Sequence, residues 1–125
     1  MRLLLDAHAL LWWLADDPVL SEGARDAIGD EGNQVVVSAA TIWEIEIKRA
    51  LGKLQAPAGL PAVIVEEGFL ELPITAVDAE TAAALTPHHR DPFDRMLVAQ
   101  AARIDAVIVT RDPALAAYGA PLLAC

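Results

Sequence analysis

"RLLLDAHALLWWLADD", residues 2 to 17, runs three leucines straight into a stretch of helical character, with one carboxylate, Asp6, at the junction. Three successive apolar residues without a polar alternate suit a strand covered on both faces, because a half-exposed strand would alternate. The "AHALLWWLA" that follows reads as a helix, and the pattern then repeats. "QVVV" (34 to 37) precedes "AATIWEIEIKRALGKL", and "LELP" (70 to 73) precedes "AVDAETAAAL", whose start is marked by Thr75 with Asp78. "HHRDPFDRMLVAQAARI" (88 to 104) leads into "AVIVT" (106 to 110), and "PLLAC" at the end is a weak fifth strand. Ser21 can cap a further helix, "EGARDAIG". Strands alternating with helices imply parallel pairing with helices on both sides of the sheet, so the expected class is α/β.

Two of the helices show apolar faces at helical spacing. Trp43, Ile47, Ala50, Leu51 and Leu54 share one, and Phe93, Leu97, Gln100, Ala101 and Ile104 share the other. "QAPAGLP" (55 to 61) reads as a surface loop between helices.

The 125 residues suit one domain, residues 1 to 125, with enough chain to bury a core. The composition is 55% hydrophobic, yet the longest uncharged stretch is the 13 residues after Asp112, short of the roughly 18 that a bilayer span needs. Asp6 interrupts the first apolar run, which argues against a signal peptide. The one cysteine, Cys125, can form no internal disulfide. A cytoplasmic location without membrane contact is the expectation. With 18 acidic and 9 basic residues the net charge is −9, so unaided binding to a phosphate backbone is unfavourable and a nucleic-acid role needs cations.

In open α/β sheets ligands gather beyond the carboxyl ends of the strands, so the residues following each strand matter most. Here they are acids. Asp6 follows the first strand, Glu44 lies early in the helix after the second, Asp94 starts the helix before the fourth, and Asp112 lies two residues beyond that strand. Local structure accounts for several of them. Asp91-Pro92-Phe93-Asp94 is a helix start with Asp91 as cap and a carboxylate near the positive end of the dipole. Thr41 and Glu44 match a capping box, although the helix is expected to start earlier, at Ser38. Asp112 can cap a short last helix. Asp6 has no such explanation at sequence level, and a carboxylate between leucines and an apolar helix is costly to desolvate alone. Four converging carboxylates are answered by protonation or by a metal, and all-oxygen ligation favours magnesium or manganese.

"LLLDAHALLWWL", "VVVSAATIWEIEIKRALGKL", "HHRDPFDRMLVAQA" and "VIVTRDPAL", in this order, resemble the PIN-domain ribonucleases, specifically the VapC toxins of VapBC toxin–antitoxin pairs. The resemblance covers essentially the whole chain. It implies a three-layer α/β/α sandwich around a parallel sheet of four to five strands. It further implies metal-dependent hydrolysis of RNA to 5′-phosphate and 3′-hydroxyl ends, a cognate VapB-type antitoxin whose C-terminal arm covers the toxin, and a homodimer. Asp6, Glu44, Asp94 and Asp112 match the acidic quartet that binds Mg2+, with Mn2+ as a substitute, and Asp91 matches a position not usually counted as a ligand. Ala7 departs from the Thr or Ser common after the first Asp, so the expectation is either weaker metal affinity or a hydroxyl supplied by Ser38 or Thr110.

Among the basic residues, Lys48, Arg49 and Lys53 follow Glu44, and Arg90, Arg95 and Arg111 flank the other acids. Lys48, Arg90, Arg95 and Arg111 are the candidates for contacting RNA phosphate, against the alternative that Lys48 pairs with Glu44 at i, i+4. His88 and His89 read as solvated loop residues, since neighbouring side chains in an extended segment diverge. Trp12 and Trp13 point about 100° apart on a helix, which places one in the core and leaves the other for a protein interface. Other acidic-pocket folds fit less well: His8 stands where a haloacid-dehalogenase-type phosphatase has a second Asp, and no lysine follows the third strand as in a receiver domain. A nucleotide-binding Rossmann unit needs a glycine-rich loop that this chain lacks. The remaining alternative is a catalytically silent PIN domain that acts as a binding module.

Overall fold

The structure is a computed structural model that describes residues 1–125. Five strands form one sheet: β1 (Arg2–Leu5), β2 (Gln34–Ser38), β3 (Leu70–Leu72), β4 (Val107–Thr110) and β5 (Leu122–Ala124). Their order is β3-β2-β1-β4-β5, with every neighbouring pair parallel. The helices are α1 (Ala7–Leu14), α2 (Glu22–Gly29), α3 (Ala39–Ala50), α4 (Leu60–Glu66), α5 (Ala76–Ala84) and α6 (Pro92–Ile104), and a 3-10 turn spans Pro113–Tyr118. This is the expected three-layer α/β/α arrangement, and the weak fifth strand is present. The loop expected over residues 55 to 61 ends earlier, at Gly59, because Leu60 and Pro61 already form the first turn of α4.

The absence of alternation in β1 and β2 has the anticipated cause, since each strand is packed on both faces. Leu3, Leu5, Val35, Val37 and Val109 point to one side, where Leu10, Ile28, Ile45, Leu60 and Ile64 from α1 to α4 cover them. Leu4, Val36 and Ile108 point to the other side, against Leu97, Val98 and Ala101 of α6 and Leu115. Leu3, Leu4 and Leu5 are fully buried, each a gain of about 1.5 to 3 kcal/mol over exposure. β1 is therefore the central strand.

Two apolar readings change. The face of α3 that carries Trp43, Ile47 and Leu51 points to solvent, with Trp43 62% and Leu51 63% exposed. The buried face of α3 is the other one, Ala40, Thr41, Glu44 and Ile45. Trp12 and Trp13 are both half-buried, one against Arg111 and the other edge-tilted against Phe69; the exposed tryptophan is Trp43. The face of α6 is as expected, with Leu97, Gln100 and Ala101 buried. No helix is long and apolar enough to cross a membrane.

Candidate active site

The chain turns from one half of the sheet to the other between β1 and β4, and parallel order places all carboxyl ends on one edge. A crevice at this switch point is the expected ligand position in such sheets. Asp6 closes β1 there. Its backbone N–H donates to the Val109 carbonyl at 3.1 Å, which locks the residue against β4. Its side chain accepts from the Ala9 N–H at 2.8 Å, so Asp6 is the N-cap of α1. The local explanation that the sequence seemed to deny Asp6 therefore exists. The cap does not satisfy the carboxylate fully, because burial raises its pKa against the opposing hydrogen bonds from Ala9 and the Thr110 hydroxyl.

Glu44 lies in the second turn of α3, a helix that starts at Ser38 as anticipated. It is only 8% exposed and accepts from Lys48 Nζ at 2.8 Å. Asp91 is the N-cap of α6, accepting from the Phe93 N–H at 2.9 Å. Asp94 stands in the first turn of that helix and has no backbone donor of its own. Burial, then the charges of Asp91, Glu44 and Asp6, push its pKa up to about 7, with His89 pulling the other way. Asp112 caps the 3-10 turn through the Ala114 N–H, and this bond together with His89 holds its pKa below the usual carboxylate range. Its own N–H donates to the Thr110 hydroxyl at 3.1 Å. Thr110 thus links Asp6 and Asp112 on the edge where Ala7 provides no hydroxyl, whereas Ser38 is committed to Gln100 and the Ala40 N–H.

The site contains one residue that the sequence reading put elsewhere. His89 is half-buried, not solvated. Its Nε2 lies 2.8 Å from Asp112 Oδ2 and 3.2 Å from Asp94 Oδ2, and its Nδ1 accepts from the Asp91 N–H at 3.0 Å. That last bond leaves the proton of the neutral ring on Nε2, facing both carboxylates. The bond to Asp112 and the neighbouring charges raise the imidazole pKa. His88 turns away and meets the Tyr118 ring edge-on.

Asp6, Glu44, Asp91, Asp94 and Asp112 all face one cavity of about 460 Å³. Lys48 and Arg111 are the lysine and arginine on its wall. Arg111 donates to the main-chain oxygens of Val19 and Cys125 and lies 4.2 Å over the Trp12 ring. Arg95 is not on this wall: its guanidinium ties down carbonyls at the end of α5, including Ala82 and Leu85. Arg90 is exposed on the loop before α6. Burial raises the pKa of both Asp6 and Asp94, and at Asp94 the neighbouring carboxylates add to it. The oxygen-rich donor set fits a hard divalent cation, and ligand atoms of His89, Asp94 and Asp112 lie within 4.8 Å of one another.

Solved structures share this architecture. VapBC2 from Rickettsia felis, bound to a DNA fragment from its promoter, is 12% identical with a TM-score of 0.73, over 99% of this chain and 98% of that one. FitAB bound to an IR36 DNA fragment is 18% identical with a TM-score of 0.64, over 98% and 94%. FitAcB from Neisseria gonorrhoeae is 19% identical with a TM-score of 0.62, over 97% and 96%. At these identities the likeness is one of fold. No curated protein matches the sequence. The family model described as the PIN domain matches residues 3–121, and the chain belongs to that family.

Proposed function

We propose that this PIN domain is a divalent-metal-dependent endoribonuclease, the VapC-type toxin of a toxin–antitoxin pair, and that it acts in the cytoplasm on RNA until a VapB-type antitoxin blocks it. The observation that carries this reading is the convergence of five carboxylates on one cavity at the switch point of the sheet. Asp6, Glu44, Asp94 and Asp112 would hold Mg2+, or Mn2+ in its place. A bound divalent ion polarises the scissile phosphate and generates a nucleophile from water at neutral pH. Asp6 and Asp112, fixed by the N–H groups they cap, would be held in place as ligands of that cation. Lys48 and Arg111 offer positive charge to the phosphate on the same wall, and Arg90 is exposed on the loop before α6. The antitoxin is supported by the neighbouring structures VapBC2 and FitAB, and the exposed apolar face of α3 offers a surface for a homodimer.

The test is cleavage of RNA by purified protein with Mg2+ or excess EDTA, for wild type, Asp6→Ala and Asp94→Asn. Cleavage confined to wild type with metal is expected; equal cleavage by Asp6→Ala or in EDTA rules the proposal out. One observation favours the silent alternative: His89 Nε2 already lies against the Asp94 and Asp112 carboxylates, at 3.2 and 2.8 Å. Calorimetric titration separates the two: absence of Mg2+ and Mn2+ binding selects the silent module.

A further inference from the structure

A second cavity, of about 490 Å³, adjoins the acidic one and shares Ala7, His8, Trp12 and Lys48 with it. Its chemistry differs. Asp17 is its one carboxylate, and that side chain already accepts from the Val19 N–H. Lys53 and Gln55 stand on the far wall, both exposed, and Lys53 belongs to no ion pair of the structure. On the divide between the cavities, His8 and Trp12 lie with ring centroids 5.3 Å apart and planes 33° from parallel. Arg111 stacks on the same Trp12 ring from the acidic side.

We infer that this second cavity is a subsite for one unpaired nucleobase of the RNA strand, adjacent to the phosphate at the acidic cluster. The inference rests on the nuclease reading and adds the residues of this chain that hold a base beside the cut. An aromatic pair beside a free lysine is the combination that holds a single strand, with the base on the rings and the backbone on the cation. His8, exposed and common to both walls, offers the ring surface; Gln55 offers an amide to the base edge; Lys53 meets the next phosphate. The cavity lies within the volume range of small-molecule sites, and a base can enter it only when out of its duplex stack.

The experiment uses an RNA that wild type cleaves, with each nucleotide flanking the cut replaced in turn by an abasic unit. Binding to full-length Asp94→Asn protein with Mg2+ is read by fluorescence anisotropy. One abasic position should weaken binding about 5- to 150-fold, the range for one stacked base. In Asp94→Asn carrying His8→Ala or Trp12→Leu, that position should no longer matter. His8 is exposed, so its variant keeps the test valid if the Trp12 variant does not fold. Intact and abasic RNA binding alike, with cleavage still at the same bond, removes the subsite and leaves the nuclease reading standing. If no RNA is cleaved or bound with any metal, the nuclease reading fails and the subsite fails with it.

Discussion

Asp94 bears two local forces that oppose each other. A carboxylate in the first turn of a helix gains from the positive end of the dipole, typically about 0.3 to 1 kcal/mol. Burial beside Asp91, Glu44 and Asp6 costs more, which is why the pKa stands at about 7 rather than below the usual value. A carboxyl whose folded pKa is raised contributes stability that is fully present below its unfolded pKa and is lost as pH rises through the folded one. The metal-free protein should therefore lose stability on account of Asp94 between about pH 4 and about pH 7. Asp94→Asn removes that loss. Its melting temperature should match wild type near pH 4 and exceed it by several degrees at pH 8, with Mg2+ closing the gap by stabilising wild type. Thermal melts at the two pH values decide it; a variant that melts lower than wild type at pH 8 would show that the ionised Asp94 stabilises the fold, with the helix dipole outweighing burial.

At the scale of elements, α5 is held to α6 by one buried acid. Asp78, 1% exposed, caps α5 through a reciprocal pair of hydrogen bonds with Thr75 and accepts two bonds from Arg103 on α6 at 2.6 and 2.9 Å. Gln100 adds a third donor and carries the network on to Ser38 at the end of β2. Arg103 is the first cause of a pKa of about 2 at Asp78. Here the sign is the reverse of Asp94: the stabilisation is present above the unfolded pKa and is lost as pH falls through the folded one. Asp78→Asn should cost on the order of 2 kcal/mol at neutral pH, and the deficit should vanish as pH falls from about 4 to about 2. Urea midpoints across that range measure it, and a deficit independent of pH would assign the loss to packing. The same elements show what was legible beforehand. The strands and the starts of α2, α3, α5 and α6 could be read because continuous apolar runs and capping side chains are local signals. The orientation of α3 could not, since periodicity reveals two faces without saying which is inside; the polar face of Thr41, Glu44 and Lys48 serves the site and the apolar face remains outside. The four acids could be found from their places beside the apolar strand runs and the helices next to them, together with the family resemblance. His89 could not, because its position depends on the Asp91 N–H that pins its ring, a contact visible only once the turn before α6 is built. The cap formed by Asp6 had a signal that was passed over: the acid ends a strand three residues before the Ala9 N–H it accepts.

For the whole molecule, a net charge of −9 coexists with an exposed apolar stripe, Trp43, Ile47 and Leu51 on α3, with Phe93 edge-on to Trp43 at 5.4 Å. The two act in opposite directions on self-association. Two copies repel through their summed charge, a force that salt screens, whereas apolar burial survives salt. Dimerisation through α3 should therefore strengthen as KCl rises from about 50 mM to about 500 mM, while the Debye length falls from about 14 to about 4 Å. RNA binding should weaken over the same range, because it depends on displacing counterions. The opposite responses distinguish the two surfaces in one preparation. Sedimentation velocity should show the dimer fraction of wild type growing with salt, and Ile47→Glu should remain monomeric throughout. A dimer that dissociates as salt rises would be held by ion pairs instead, and wild type that stays at the mass of one chain at every salt concentration would leave the α3 stripe free for the antitoxin.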